Sequence, residues 1–208
     1  MSDNLKEVHK QDILHAAIAE FGRVGYRDAS TNEIVKKAGV SKGLLFHHFK
    51  CKEQLYTACQ IYVLEEYGKY MNEHKDFTSS DLFDRILKNL RIKMEFGFRN
   101  PMFLGMINRA WALEGDENPL KKGEAETYVL NSMQLQADFF FKGVDISMFR
   151  EGYDIIKIMQ YSRLMLEAHW KQFATEHDND AIAMVENMES YFSEAEEIVE
   201  LLRSGAYR

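Results

Sequence analysis

The sequence predicts an all-α protein of about nine helices. Three observations predict it. Apolar residues recur at three- and four-residue spacing through most of the chain, with no strand-like alternation between them. Breakers are scarce, 12 Gly and 2 Pro in 208 residues, which argues against a turn-rich β-sandwich. Where the periodicity stops, capping residues, Gly or Pro stand at the break. No internal repeat or low-complexity segment is present.

The first periodic segment is VHKQDILHAAIAEFGRVG. Ile13, Ala16, Ala17, Ala19 or Glu20, and Phe21 follow helical spacing, Leu14 and Ile18 widen the stripe, and Gly25 ends it. Ser30 to Glu33 reads as a capping box, with Ser30 as N-cap and Glu33 three residues on. That short helix stops at Gly39, and Ser41 can cap the next, which runs through Leu44, Leu45 and Phe46. Residues 30–48 therefore have the layout of a helix-turn-helix.

A longer helix begins near Cys51, carries Leu55, Ala58, Cys59, Tyr62, Val63 and Tyr67, and fades by 72–75. It is long enough to connect two domains without a flexible linker. Ser79 or Ser80 starts another, through Leu82, Phe83, Ile86, Leu87, Leu90 and Met94 to Phe98. Asn100–Pro101 restarts the helix with Pro at its first position. After a break at 115–119, a helix spans roughly Lys121 to Lys142 and a loop covers 143–147. Two long helices, about 149–175 and 179–203, close the chain. Their faces Ile155, Met159, Ser162, Leu166 and Ile182, Val185, Met188, Phe192 suit a two-fold dimer seam.

Composition narrows the class. With 46% hydrophobic and 28% charged residues, the chain is a folded globular protein rather than a disordered one. No run of 18 apolar residues exists, which excludes a membrane-spanning helix, and the charged start is no secretory signal. Two cysteines, Cys51 and Cys59, cannot staple a chain of this size, so a reducing, cytoplasmic setting is expected. Net charge is -7, but it is unevenly spread. Residues 1–52 hold nine Lys/Arg against six Asp/Glu, a surplus of +3, which leaves -10 for residues 53–208. A mildly basic head on an acidic body suits a protein that sets one end on phosphate.

The first 55 residues resemble the tetracycline-repressor-like (TetR/AcrR) family of bacterial transcription regulators. The resemblance rests on IL-x-AA at 13–17, Phe21, Gly25–Tyr26, the cap region Ser30–Ile34, AGVSKG at 38–43 and FHHFKCKEQL at 46–55. The rest of the chain is similar only in length, helical character and the two long closing helices. The resemblance implies a three-helix DNA-binding domain over 1–52 and a helical ligand-binding and dimerisation domain over 53–208. It further implies a repressor. Two subunits, joined through the closing helices, would hold two recognition helices on a palindromic double-stranded operator, and an effector would release the DNA.

In that frame the recognition helix starts after Ser41, whose cap and amide end can face a phosphate. Lys42 can reach a phosphate or a guanine edge. Gly43 lets the backbone come close to DNA, and Leu44, where many family members carry Thr, can meet a thymine methyl. Phe46 replaces the family's common Tyr and so keeps only a packing or groove-wall role. His47 can donate to phosphate, Lys52 can clamp one, and Thr31 and Asn32 can bind phosphate at the start of the preceding helix. Arg27 and Lys50 flank the same surface, while Leu45 and Phe49 read as core.

For the effector, an apolar, aromatic cavity is expected. Candidate lining residues are Phe96, Met102, Met106, Trp111, Met133, Phe140, Tyr161, Met165 and Trp170, since Met and aromatic side chains adapt to apolar ligands. Glu95, Glu114, Asp138 and Glu167 interrupt apolar stretches and would favour a cationic ligand if buried, but Arg91–Glu95 and Arg163–Glu167 have the spacing of surface pairs. A neutral or anionic apolar ligand, such as a fatty acid or acyl thioester, fits equally. No cofactor motif is present. The histidines at 9, 15, 47, 48, 74, 169 and 177 lack metal-ligand spacing, and no local pattern selects a catalytic site. The competing readings are an activator or effector-independent regulator and, in another class, a helical enzyme or interaction scaffold supported only by the acidic total charge.

Overall fold

A computed structural model describes residues 3–112 and 141–208, with side chains over 8–108 and from 141 onward. The chain is all-α. The described helices are α1 (Asp3–Asp28), α2 (Thr31–Ala38), α3 (Lys42–His48), α4 (Lys52–His74), α5 (Leu82–Arg99), α6 (Pro101–Ala112), α7 (Ile155–Glu176), α8 (Ala181–Glu186) and α9 (Met188–Ala206). Among the described residues the one β-like feature is an isolated antiparallel bridge between Phe149 and Tyr207. The helix expected over 121–142 lies outside the described residues, apart from Phe141 and Lys142, which are not helical. The described residues pack as two compact units: one takes residues up to 68 with 100–112, the other 69–99 with 141–208.

In the first unit, one face of α1 is apolar and buried. Ile13, Ala17, Ile18 and Phe21 meet Ile34 of α2, Leu45 of α3, Leu55, Cys59 and Val63 of α4 and Met106 of α6. Each fully buried Leu or Ile contributes about 1.5–3 kcal/mol. Gly25 breaks the helical path of α1 as expected: its φ of 81° and ψ of 173° are non-helical, a conformation that glycine adopts without penalty. Pro101 opens α6 at the position its missing N–H allows. At Gly22 the backbone of Met102, in the first turn of α6, lies against α1 so closely that there is no room for a side chain.

In the second unit, Leu82, Phe83 and Ile86 of α5 pack with Phe149, Ile158, Val199 and Ala206. The cap of α5 is not Ser79 or Ser80. Asp81 Oδ1 accepts the N–H groups of Phe83 at 2.7 Å and Asp84 at 3.1 Å. A carboxylate at this place also favours the positive end of the helix dipole. The chain end is tied to the same residue, because the Tyr207 hydroxyl donates to Asp81 at 3.0 Å and accepts the Leu82 N–H. This explains why the helix expected from 149 starts only at 155. Residues 148–150 are held by backbone bonds to 206 and 208, Gly152 adopts φ 84°, and Asp154 then caps α7.

The expected dimer faces are largely buried inside this unit. Ile155, Met159 and Leu166 pack on its core, while Ser162, Met188 and Phe192 are buried. Of the expected faces Ile182 is exposed, and residues outside them are exposed too: Ile156, Tyr161, Leu164 and Met165 on α7, and Leu201. The closing helix is also split at Asn187, between α8 and α9. Of the two expected surface pairs, Arg163–Glu167 forms at 2.8 Å. Arg91 instead lies over the Phe192 ring at 3.8 Å, and Glu95 accepts from the Tyr70 hydroxyl at 3.3 Å.

Candidate nucleic-acid interface

The turn between α2 and α3 follows from three residues. Gly39 takes the left-handed conformation, φ 66°, and its N–H reaches back to the carbonyls of Val35 and Lys36, as a helix C-terminus requires. Val40 N–H adds a bond to Val35 at 3.1 Å. Ser41 then caps α3, its hydroxyl accepting from the Leu44 N–H at 3.2 Å. Leu45 and Phe49 anchor α3 by burying one side of it.

The other side of α3 faces solvent. Lys42, Gly43 and His47 are exposed and Leu44 is half-exposed. Phe46 is half-buried against the head core, in keeping with the packing role that the absent hydroxyl leaves it. Lys42 Nζ donates to Asn32 Oδ1 at 3.1 Å. That bond brings the first turns of α2 and α3 together on one exposed surface. Thr31 is half-buried beside Asn32. Lys52 is more constrained than a free phosphate clamp would be. Its ammonium donates to the Arg27 carbonyl at 3.1 Å and sits 4.9 Å from the centre of the Tyr26 ring. An ammonium has three donors, so this contact leaves capacity for a phosphate.

The capping box does not form. Ser30 stands at the N-cap position of α2, but its side chain makes no capping bond. Its backbone N–H donates to Glu20 Oε1 at 3.3 Å. Glu20 is 2% exposed and also accepts from Arg23 at 2.8 Å and Lys37 at 3.4 Å. One carboxylate on α1 thus holds both ends of α2. The sequence signal for it was an acid inside the apolar stripe of α1.

Burial acts to raise the Glu20 pKa, but the bonds from Arg23, Ser30 and Lys37 together bring it below the usual carboxylate value. A depressed folded pKa stabilises above the unfolded value, and that stability is lost as pH falls through the folded pKa. Glu20→Gln is therefore expected to cost about 1–2 kcal/mol at pH 7. The gap from wild type should shrink once pH drops below about 4.3. Urea denaturation of both proteins at pH 7 and in acid checks this, and a gap that does not change with pH would contradict the charged network.

The expected effector residues that are described fall in both units. Met102 and Met106 belong to the core of the first unit. In the second, Phe96 is buried near Tyr70, with ring centres 5.5 Å apart, and Trp170 packs edge-on against Tyr191 at 5.0 Å. Tyr161 and Met165 face solvent. Trp111, Met133 and Phe140, like Glu114 and Asp138, fall where side chains lie outside the described residues. Among the described residues, no group of three or more His, Cys, Asp and Glu could hold a metal ion, and no helix is long and apolar enough to cross a membrane.

Comparison with known proteins agrees with this geometry. Residues 13–59 match the family model of bacterial regulatory proteins, tetR family. The HTH-type transcriptional regulator BetI of Yersinia pestis is 31% identical over 70 residues, 34% of this chain and 35% of that protein. BetI of Serratia proteamaculans is 32% identical over 65 residues, 31% of this chain and 33% of that protein. The matched region thus spans about a third of the length of these relatives. Among solved structures, the transcriptional regulator FadR from Bacillus subtilis, in complex with stearoyl-CoA, superposes with a TM-score of 0.63 at 18% identity, covering 94% of this chain and 98% of that one. A TetR family transcription regulator from Marinobacter aquaeolei gives 0.58 at 17% identity over 100% of both chains. The head of the chain, residues 13–59, is thus similar to the tetR family of bacterial regulatory proteins, and the fold is shared with solved structures over the length of the chain.

Proposed function

We propose that the chain is a cytoplasmic transcriptional regulator, a repressor that binds a palindromic operator as a homodimer and is released by a small apolar or amphipathic effector. Residues 1–52 contact DNA in this reading, and residues 53–208 carry effector binding and dimerisation. The observation that carries it is the exposed side of α3, where Lys42, Gly43, Leu44 and His47 stand together with Asn32 bonded to Lys42. A helix N-terminus with lysine and amide donors is suited to phosphate, and a glycine there permits close approach to the groove. The exposed apolar residues of α7, with Ile182 and Leu201, support dimerisation through the closing segment, because such surface gains by leaving water. Stearoyl-CoA bound to FadR supports an amphipathic molecule as the class of effector.

Selection of bound fragments from a random DNA pool at two salt concentrations tests the proposal. A two-fold symmetric site is expected; the absence of any enriched site would overturn it. On the selected site, Lys42→Ala with Lys52→Ala should weaken binding and lower the salt slope by about 2, one for each phosphate left without its lysine. An unchanged affinity would remove these lysines from the interface.

A further inference from the structure

Leu44 stands in the first turn of α3, half-exposed, between exposed Gly43 and buried Leu45. Leu45 and Phe49 fill the head core, and Phe46 packs against it with Val35, Ala38 and Val40. Among the described residues Leu44 does not join that cluster. Its backbone is satisfied within the cap, because its N–H donates to the Ser41 hydroxyl at 3.2 Å and to the Ser41 carbonyl at 3.1 Å. What Leu44 presents to the outside is therefore hydrocarbon alone. The surface around it is basic: α3 has the sequence KGLLFHH, without an acid, and Lys42 is held by Asn32 beside it. A methyl on Gly43 would meet only the Ser41 hydroxyl oxygen, so the backbone next to Leu44 is open to close approach.

We infer that Leu44 is a specificity-determining residue that reads a C5-methyl group in the major groove and no other group of that base pair. This rests on the reading of α3 as the DNA-contacting helix and names what one of its residues recognises. Thymine carries such a methyl at the groove edge, and 5-methylcytosine carries it at the same ring position. Leucine has no donor or acceptor. A purine N7 or the bare edge of cytosine set against it loses water without gaining a partner, which is unfavourable. A methyl group set against it leaves water with a gain. Thymine accepts a hydrogen bond at position 4 where cytosine donates one, and a side chain without polar atoms cannot tell these apart. Leu44 therefore treats thymine and 5-methylcytosine alike and rejects uracil and cytosine.

The test uses the full chain and two random double-stranded pools, one made with cytosine and one with 5-methylcytosine in its place. From the first, thymine is expected at one position of each half-site; from the second, thymine and 5-methylcytosine in its place interchangeably. On the selected site, uracil is substituted for each thymine in turn, in both half-sites together. At one of them binding should weaken about fifteenfold, one buried methyl group being lost in each half. Cytosine paired with guanine there should weaken binding at least as much, and 5-methylcytosine should restore it to within about twofold of thymine. For Leu44→Ala the methyl effect at that position should disappear. Thermal denaturation shows whether the variant is folded, and the base substitutions test wild type without it. Uracil binding as tightly as thymine at every position, 5-methylcytosine binding no better than cytosine, or a methyl effect unchanged in folded Leu44→Ala would each overturn the inference. Wild type that enriches no site from either pool would sink the regulator reading and this inference with it, whereas a selected site without a Leu44-dependent methyl effect sinks this inference alone.

Discussion

Gly22→Ala is expected to destabilise the protein by about 3 kcal/mol, the upper part of the range for overpacking. A methyl group there would collide with the Met102 carbonyl oxygen and come within 3.2 Å of its carbon. Both are backbone atoms in the first turn of α6, so no side chain can swing aside to make room. Either α6 retreats from α1, or α1 bends within the cluster that holds Ile18, Phe21 and Met106. Both movements open gaps that a close-packed interior does not refill. For a chain of this size the melting temperature should fall by about 6–12 °C. A melting temperature within a degree of wild type would mean that α1 and α6 do not meet at this register.

Local features of the head were legible in the sequence because neighbours in the chain determine them. Gly39, Ser41 and Pro101 stand where they were expected, since a left-handed cap, a hydroxyl acceptor and a first-turn proline each act within a few residues. What could not be read depends on distant partners. Ser30 and Glu33 have the spacing of a capping box, but Glu20, ten residues upstream of Ser30, takes the N–H instead. α7 starts at Ile155 rather than near 149 because Tyr207 competes for the segment beside Phe149.

The inward face of α7 has a different reason. α7 carries two apolar stripes, one through Ile155, Met159 and Leu166 and one through Ile156, Tyr161, Leu164 and Met165. Periodicity shows that both exist without saying which turns inward. Met and aromatic side chains serve a packed core as readily as a cavity, so residue type alone does not separate the two. Met106, 1% exposed, is such a core residue.

Gly43→Ala is expected to act in the opposite sense from Gly22→Ala: the protein becomes more stable while its DNA binding weakens at least tenfold. Gly43 is not among the positive-φ glycines, and a methyl built on it would meet only the Ser41 hydroxyl oxygen at 3.8 Å, an ordinary contact. Nothing in the free head therefore requires glycine here, and alanine should gain about 0.5–1 kcal/mol in the helix. A glycine kept against helix propensity, on the exposed first turn of α3 beside Lys42, is explained if another backbone must come close. In the proposed mode that backbone is the sugar-phosphate wall of the groove, and a methyl would hold α3 away from it. Lys42 and Asn32 would then lose their reach together, which is why the expected weakening exceeds the effect of a single phosphate interaction. Thermal denaturation and fluorescence anisotropy on the selected operator measure the two effects. A higher melting temperature with unchanged affinity would move the DNA contact off this turn, and a lower melting temperature would show that Gly43 serves the fold.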